Sequence, residues 1–541
     1  MKLPSMKYTD GIAKNKQIKF SGLNHTYAAE DGELWDMRNL TSDHAPLLGT
    51  REPRRLYRKL EKPGGLFCWN KLCWVDGTKF YYDGEEKGTV TEGEKFFAAL
   101  LDKIVIFPDK CYYDRYSDTF GSLEARWEGE SLTFCDGTYA GNDAAANTIT
   151  AAGVDWSRYF FAGDAVSISG CTTHPANNRE IIIREISGDK LVFYENSFTL
   201  PEGEESYQEA GQLSIARTVP DLKCVIEHEN RLWGCTEKTV CATKQGDVFN
   251  WNVKDRIAGD SYMVDTGSAG AFVGGVQYRG YATFFKESNI YKVYGTIPSN
   301  FQLMGSATLG LEETSGRSLA VAGETLFYLS NSGIMAYSGG IPQPVGEVFG
   351  QERFRNAVGG SDGLKYYVSM QGGDGMWRLY VYDTQRGLWH IEDNMHVTHF
   401  AMWEGNLYFL NDKGEIWIGG NVQDPPADST PEDPVDWMAE FADFTEGDPN
   451  VKGIGKLQLR LELEAGATAQ VWIQYDSDGK WLTVSTPMGE GVKRSHYLPI
   501  TPRRCDHYRI RITGTGGCRI YSLVRESYSG SEYKSKNRRN F

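Results

Sequence analysis

The side chains most often used in catalysis and metal binding are scattered along this sequence rather than grouped. Among its nine histidines, His396 and His399 would point to opposite faces if they lay on one strand. No HExxH, GxSxG or P-loop motif occurs. The cysteine pairs nearest to a zinc motif are Cys68 with Cys73 and Cys235 with Cys241, and neither is a CxxC. The sequence therefore predicts no catalytic residue, no metal site and no cofactor.

The segment from Asp476 to Trp481, DSDGKW, is the strongest candidate for chemistry. It resembles the Asp-box turns of sialidase propellers, which would imply a glycosidase. The Asp-box order separates Ser, Asp and Gly by single residues, whereas Ser477, Asp478 and Gly479 are consecutive here. An Asp-Gly hairpin turn explains these residues fully, so a propeller glycosidase is the weakest of the functional alternatives.

The composition describes many short strands joined by tight turns. The 541 residues include 60 Gly, 30 Tyr, 25 Phe and 14 Trp; aromatic residues favour strands, and glycine supplies the positive φ of hairpin turns. The net charge of −15, from 57 Lys plus Arg against 72 Asp plus Glu, argues against a dedicated nucleic-acid binder. An acidic lumen would still let DNA pass without specific binding.

Membrane and secretion signals are not visible in the sequence. The N-terminal residues lack a continuous apolar core of the signal-peptide kind. No apolar stretch approaches the roughly 20 residues that span a bilayer. We therefore expect no membrane span, and we expect the ten cysteines to be buried, reduced thiols.

A strand–turn–strand pattern rich in aromatic residues recurs from about residue 64 to residue 420. Typical copies are residues 64–84, 224–244 and 401–420. Their spacing of roughly 40–50 residues is the period of propeller blades. Because each blade buries its faces only against its neighbours, the copies must close into a ring. The alternative, an open series of β-sandwiches, explains the strands but not the regular spacing. The sequence predicts an all-β fold with a six- or seven-bladed β-propeller over residues 61–420.

Other segments depart from this rhythm and mark the remaining parts of the chain. Residues 129–219 predict a small β-barrel inserted between two blades, and the Pro- and acid-rich residues 421–437 predict a linker. Clean period-two alternation predicts a C-terminal β-sandwich over residues 438–530, followed by a basic tail, 531–541. Residues 1–60 predict an extended arm that lies on another surface.

Several short motifs occur in an order that resembles a known family. The opening segment Asp36–Asp43 is followed by Pro46-Leu47-Leu48 and Arg51, and the later motifs are Asn230–Gly234, Gly246–Trp251, Phe285–Glu287, Arg317-Ser318, Tyr328–Ser330 with Gly333-Ile334, and Pro502–Tyr508. Together they are similar to tailed-phage virion proteins often labelled stabilisation, head-completion or tail-hub proteins. Glu52 between Arg51 and Pro53, and Val248 in place of the usual Pro, are departures from the family pattern.

The resemblance, which spans roughly residues 31–530, implies a structural virion component assembled in the host cytoplasm. It implies a homo-oligomeric ring at the tail or the head–tail junction, with other virion proteins as partners. It implies no catalytic residues. A receptor- or glycan-binding tail module is the alternative function, suggested by the aromatic residues and the appended sandwich.

Candidate partner-binding residues lie in the segments outside the blade repeats. Trp35 and Trp437 are predicted anchors for a protein partner. The remaining candidates are basic residues of the arm and the tail, which would either pair with the acidic surface of a neighbour or stay solvated: Arg38, Arg51, Arg54, Arg538 and Arg539.

Overall fold

The structure, a computed structural model, describes residues 12–135, 147–194, 196–251, 261–420, 422, 424–447, 451–485, 488–501 and 503–529. The chain forms two compact units. Unit 1 comprises the described residues of Met1–Leu60, Ala320–Ser338 and Gln343–Phe541, and unit 2 comprises those of Glu61–Leu319 and Gly339–Pro342. The basic tail, with Arg538 and Arg539, lies outside the described residues.

The N-terminal segment belongs to unit 1 and forms five strands: β1 (Ile12–Gln17), β2 (Leu34–Arg38), β3 (Leu40–Thr41), β4 (Leu48–Thr50) and β5 (Arg55–Lys59).

Unit 2 begins with two four-stranded antiparallel blades. Blade 1 consists of β6 (Pro63–Trp69), β7 (Lys71–Asp76), β8 (Lys79–Tyr82) and β9 (Glu85–Thr89), and blade 2 of β10 (Phe96–Leu100), β11 (Lys103–Phe107), β12 (Cys111–Asp114) and β13 (Thr119–Ser122). In blade 1, Asp76 pairs with Lys79 across a two-residue turn, where Gly77 adopts the φ of +61° that the turn requires.

The predicted barrel follows blade 2 and closes on itself. Its strands are β14 (Ala125–Cys135), β15 (Thr148–Thr150), β16 (Ala165–Ser169), β17 (Glu180–Ser187), β18 (Lys190–Phe193) and β19 (Ser206–Arg217), with 3₁₀ turns at Trp156–Arg158 and Pro175–Asn177. The strand order is β14-β15-β18-β17-β16-β19 and back to β14. Trp156, Ile183 and Ile215 lie in its core. The first and last residues, Ala125 and Arg217, are cross-strand partners, so the whole barrel is inserted at one point of the chain.

Two further blades complete unit 2. Blade 3 consists of β20 (Cys224–His228), β21 (Arg231–Cys235), β22 (Thr239–Ala242) and β23 (Tyr262–Asp265), and blade 4 of β24 (Gly274–Tyr278), β25 (Tyr281–Phe285), β26 (Asn289–Tyr294) and β27 (Gln302–Ala307).

In unit 2, successive side chains of a strand pack against different neighbouring blades. On blade 2, Ile104 and Ile106 pack against blade 1, whereas Val105 and Phe107 pack against blade 3. Successive side chains of a strand point to opposite faces, so a blade between two neighbours needs apolar residues at every position. This explains the continuous apolar run in β11, whose last four residues are buried.

Unit 1 contains three more blades. Blade 5 consists of β28 (Ala320–Ala322), β29 (Thr325–Ser330), β30 (Gly333–Tyr337) and β31 (Gln343–Pro344). After a 3₁₀ turn at Glu347–Phe349, blade 6 consists of β32 (Phe354–Ser361), β33 (Lys365–Gly372), β34 (Trp377–Asp383) and β35 (Leu388–Ile391). Blade 7 consists of β36 (Val397–Trp403), β37 (Asn406–Asn411) and β38 (Glu415–Ile418), and it takes its fourth strand, β5, from the N-terminal segment.

The rest of unit 1 is the sandwich and its connection. In the connection, β39 (Thr430–Pro431) pairs with β5 at the edge of blade 7. The sandwich strands are β40 (Asp436–Phe441), β41 (Lys452–Leu463), β42 (Thr468–Tyr475), β43 (Leu482–Thr483), β44 (Gly491–Leu498), β45 (Arg504–Cys505), β46 (Tyr508–Thr515) and β47 (Cys518–Ser529). One sheet has the order β2-β40-β46-β42-β43, and the other has β3-β4-β47-β41-β44 with β1 beside β47 and β45 beside β41. The core between them contains Leu459, Ile473, Ile512 and Leu523.

The predicted fold class is confirmed: the described residues are nearly all β and form blade-like propeller sheets, four in unit 2 and three in unit 1, with an inserted barrel and a C-terminal sandwich. The N-terminal arm requires a correction. Strands β1 to β4 are members of the two sandwich sheets, and β5 belongs to blade 7. Extended backbone must satisfy its N–H and C=O groups, and in residues 12–60 the partners are strands of the same chain.

Candidate functional site

A cleft of about 920 Å³ in unit 1 brings together two of the residues singled out from the sequence, Trp35 and Arg38. Both lie on β2, the edge strand of one sandwich sheet. The opposite wall includes Glu352 and Arg378 from blade 6. The half-buried Trp35 ring lies 5.5 Å from the His25 ring and 4.8 Å from the Arg509 guanidinium. These neighbours fix the indole in one orientation at the cleft wall.

Most charges on the cleft wall are already paired. The buried Glu440 carboxylate accepts hydrogen bonds from Nε of Arg511 at 2.9 Å and Nη1 of Arg509 at 3.5 Å. Arg378 donates to Asp374 at 2.6 Å, and this bond raises the pKa of Arg378. The charges of these arginines are therefore compensated within the chain.

The rim of the cleft is different, because it offers side chains without partners. Tyr27 is fully exposed, and Arg38 is exposed at the end of β2. Within the described parts of the chain, the Arg38 guanidinium makes no hydrogen bond or ion pair. A cation and an aromatic ring beside a concave polar surface suit binding of another molecule better than bond-making chemistry.

Arg51 and Arg54 do not lie at this cleft, and the prediction that they pair with an acidic neighbour is wrong. Arg51 makes a bidentate contact with Glu432, at 2.8 and 3.0 Å. Arg54, only 1% exposed, lies between Glu392 and Asp393, each at 2.5 Å. Burial opposes the charge of Arg54, but the surrounding carboxylates outweigh it and raise its pKa above the ordinary value. Both cations therefore hold the N-terminal segment against the rest of unit 1.

Trp437 is not available as an anchor for a partner either. Its side chain is 2% exposed and lies in the sandwich core. The ring packs directly on Gly514, where an added Cβ would lie 2.6 Å from it. The sequence places Trp437 at the end of a Pro-rich segment, but its strand, β40, lies inside a sheet between β2 and β46.

A buried cation that the sequence reasoning missed is Arg525 on β47. It is 1% exposed, donates through Nε to Glu446 at 2.7 Å, and forms a second ion pair with Asp31. A signal was present, because Leu523, Arg525 and Ser527 share one face of the strand and Leu523 is apolar. Period-two alternation therefore placed a charge on the inward face of the sandwich.

The turn flagged in the sequence, DSDGKW, contains a hydroxyl–imidazole contact. Ser477 Oγ lies 2.8 Å from Nε2 of His507, and Nδ1 of that ring lies 3.3 Å from Asp506. The order is that of a serine nucleophile, a base and a carboxylate. However, the turn is exposed, and the next N–H, that of Asp478, donates to the carbonyl of Tyr475 at 3.1 Å. This N–H group is therefore already bonded within the turn and does not stabilise an oxyanion.

Among the described residues, no group of three or more His, Cys, Asp or Glu side chains is placed to hold a metal ion. Among the same residues, no helix has the length and apolarity needed to cross a membrane.

Comparisons with known proteins find likeness only at the level of structure. No family model and no curated protein matches the chain. Matching structures include BamB from Moraxella catarrhalis (11% identity, TM-score 0.33, 70% of this chain and 99% of that one) and Hsv2 from Kluyveromyces lactis (12%, 0.26, 52% and 89%). An exo-β-1,3-galactanase from Phanerochaete chrysosporium also matches (9%, 0.23, 56% and 94%). At these identities and TM-scores, the likeness carries no argument about function.

Proposed function

We propose that this chain is a non-enzymatic structural protein of a tailed bacteriophage particle, a member of a ring at the tail or the head–tail junction. The observation that supports it is where the ordered motifs of the family resemblance lie in the fold. If these motifs served catalysis, their polar residues would converge on a cavity. Instead, several of them, such as Asn39, Arg231 and Asn250, are buried and bond to neighbouring strands and turns.

The first motif fixes the N-terminal segment in unit 1. Asn39 has a φ of +54°, which asparagine tolerates better than most residues. Its side chain donates to the carbonyl of Asp436 at 2.7 Å and accepts from Nε of Arg51 at 2.8 Å. Arg51, a later residue of the same motif, is held in turn by Glu432. The motif therefore joins the ends of β2 and β4 to β40 by hydrogen bonds.

The second and third motifs act in unit 2, where they join blade 3 to the barrel. Arg231 is buried and donates to the carbonyl of Thr243 at 2.9 Å. Asn250 accepts from the N–H of Ala165 in the barrel at 3.0 Å. Beside it, Arg217 pairs with Asp164, and its guanidinium lies 4.7 Å from the Phe249 ring. Residues of these motifs thus bond within blade 3 and between it and the barrel, which is a structural role of the kind that a particle component requires.

The exposed rim of the cleft is the surface we assign to a neighbouring virion protein. Arg38 belongs to the first motif, yet its side chain is exposed, unlike those of Asn39 and Arg51. Tyr27 beside it supplies aromatic area of the kind enriched at protein interfaces. An acidic surface on the neighbour would complement the Arg38 charge.

The decisive experiment is mass spectrometry of washed, purified particles from the source of this sequence. We expect the protein in a fixed ratio to the other tail or connector proteins. Its absence from particles that are intact and infectious would contradict the proposal.

The contact surface is tested separately with the double variant Tyr27→Ala, Arg38→Glu. We expect fewer assembled particles, with an unchanged melting temperature of the isolated protein, because neither side chain is buried. Arg126→Glu is the matched control, since that arginine is 65% exposed and lies in the barrel. Normal assembly with the double variant would remove the cleft rim from the interface.

A second candidate function is glycan binding, favoured by the exposed Tyr27 ring next to the carboxylates of Asp36 and Glu352 in the same cleft. Sugars bind by stacking on aromatic rings and by hydrogen bonds to such carboxylates. A glycan array and a host-cell binding assay separate the two functions. Binding that Tyr27→Ala abolishes would favour this candidate, and an array without hits would remove it.

The non-enzymatic part of the proposal is tested at Ser477. A fluorophosphonate probe labels serine nucleophiles that a neighbouring base activates. We expect the chain to remain unlabelled. Labelling that is lost in both Ser477→Ala and His507→Ala would show an active hydrolytic site and contradict this part.

A further inference from the structure

Cys224 and Cys235 face each other on neighbouring strands of blade 3. In the antiparallel pair of β20 and β21, they are direct cross-strand partners. Their Sγ atoms lie 3.2 Å apart, and both are free thiols. Both side chains point to the face of blade 3 that packs against blade 4. They are therefore already aligned, although no bond joins them.

The backbone at this position suits a covalent bond between them. Directly opposite residues of an antiparallel pair have Cα atoms about 4.5–5.5 Å apart. Disulfides need a Cα separation of about 4.4–6.8 Å. Closing the sulfur gap therefore needs rotation of two side chains and no displacement of a strand.

We propose that Cys224 and Cys235 are a modification site, at which a peroxide or a small disulfide such as oxidised glutathione forms a reversible cross-strand disulfide. This inference does not rest on the proposed function. It concerns blade 3 whatever the protein's partners are.

The chemistry follows from the unequal environments of the two thiols. Cys224 is half-buried, whereas Cys235 is buried. The hydrogen bond with Cys224 and burial raise the pKa of Cys235 well above its ordinary value. Because Cys224 is also the more accessible of the two sulfurs, it reacts first. With hydrogen peroxide, that sulfur takes one oxygen and becomes a sulfenic acid, and one water leaves. Cys235 then loses its proton and attacks the Cys224 sulfur, which expels the hydroxyl as a second water.

Other cysteines near this pair are placed differently. Cys241, on β22, lies opposite Gly234 and points to the other face of blade 3. In blade 1, Cys73 lies opposite Phe67 and Cys68 opposite Leu72, so those two are not direct partners. Cys241 and Cys68 are therefore suitable controls from the same chain.

The bond would close the hairpin that carries the second motif, residues 230–234. Because β20 and β21 are already neighbours, the folded backbone should change little. The effect expected is a higher melting temperature for unit 2, since the cross-link restricts the unfolded chain.

The experiment treats the full-length protein with hydrogen peroxide or oxidised glutathione, blocks the remaining thiols with iodoacetamide, and digests it with trypsin. Cleavage after Arg231 separates the two cysteines, so the disulfide joins the peptides Cys224–Arg231 and Leu232–Lys238. We expect this linked pair, lighter than the sum of the two free peptides by about 2 Da for the two hydrogens lost, and its disappearance with dithiothreitol.

Variants decide the assignment. Cys224→Ser and Cys235→Ser should abolish the linked peptide, and Cys241→Ser and Cys68→Ser should keep it. In Cys235→Ser, treatment with oxidised glutathione should leave Cys224 as a mixed disulfide. The proposal is overturned if wild-type protein yields both peptides fully alkylated after oxidation, or if Cys224 links to any other cysteine instead. The wild-type digest decides the matter even if a variant fails to fold.

Discussion

The sandwich of unit 1 and the barrel of unit 2 are both small antiparallel structures, but they draw on the chain in different ways. The sandwich combines β1 to β4 from the N-terminal segment with β40 to β47 from the other end of the sequence. The barrel takes all six strands from Ala125–Arg217. The buried ion pairs follow the same division: Arg525 and Asp31 are 494 positions apart, and Arg217 and Asp164 only 53.

This difference indicates what each structure depends on. All pairings of the barrel lie within Ala125–Arg217, so its cost of loop closure is lower than that of the sandwich. The sandwich must bring distant segments together, and buried carboxylates and guanidinium groups hold them there. We therefore expect the two structures to respond differently to truncation, charge removal and pH.

The largest expected effect comes from deletion. Removing residues 1–54 takes away β1 to β4 and the charges of Arg51 and Arg54. We expect unit 1 to lose its cooperative unfolding and to become sensitive to limited proteolysis. As the counterpart, replacing residues 126–216 by a short Gly-Ser linker should leave the blades folded, because Ala125 and Arg217 are adjacent. A truncated chain that melts like the wild type would break the comparison.

The second largest effect is expected from removing one buried charge. Arg54→Met leaves the carboxylates of Glu392 and Asp393 without their cation, and breaking a buried pair costs about 3–5 kcal/mol. Urea unfolding of unit 1 measures this loss. The control is Arg126→Met, which removes an exposed pair with Glu128 and should change the stability by less than about 1 kcal/mol. Equal effects of the two substitutions would show that burial is not the deciding factor.

The barrel has its own buried charge, Glu209, with a smaller expected effect. Its carboxylate accepts from the N–H groups of Thr172, Thr173 and His174 at 2.9, 2.8 and 3.2 Å. Burial opposes its ionisation, but these donors outweigh burial and lower its pKa to about 2. Glu209→Gln should destabilise the barrel by about 2 kcal/mol.

The pH dependence of Glu209 sharpens this prediction. Because its folded pKa lies below the ordinary value of 4.5, its contribution is complete above 4.5 and is lost as the pH falls towards 2. Hydrogen exchange of peptides from Ala125–Arg217 follows the unfolding of the barrel. If the wild type and Glu209→Gln show the same acid dependence over this range, the carboxylate has no such role.

The smallest effect is expected for His390 in blade 6 of unit 1. Burial lowers its pKa to about 4, and Lys365 adds to this, against Asp383 and Asp43. Since the folded pKa is depressed, its contribution is present above the ordinary 6.5 and is lost as the pH falls from 6.5 towards 4. At about pH 5.5, His390→Asn should therefore lose about 1 kcal/mol less folding stability than the wild type. Denaturant titrations at several pH values would contradict this if the two curves ran parallel.

The blades and the barrel could be predicted from the sequence because their signals are local. Strands such as β6 and β7 are separated by a turn residue in the left-handed region, Asn70, and their partners are the next strands along the chain. The predicted limits of the barrel, 129–219, differ from the observed Ala125–Arg217 by a few residues. Alternation and turn chemistry contain this information within short windows.

The candidate site was only partly predictable. Trp35 and Arg38 were singled out because they lie outside the repeats, and they do meet at one cleft. The same reasoning failed for Arg51, Arg54 and Trp437, because a sequence position outside a repeat does not show whether a side chain finds a partner within the chain. Glu392 and Glu432, which neutralise the two arginines, lie more than 330 positions away.

Apart from β1 to β5, which it left as an arm, the sequence by itself determined the grouping of the chain into blades, barrel and sandwich. This grouping depends on hydrogen bonds and side-chain alternation between residues close in the chain. Only the tertiary structure decided which charges are buried in pairs and which side chains stay exposed on the cleft rim. Such contacts depend on strand register and on the distance between remote segments, and both arise only when the whole chain has folded.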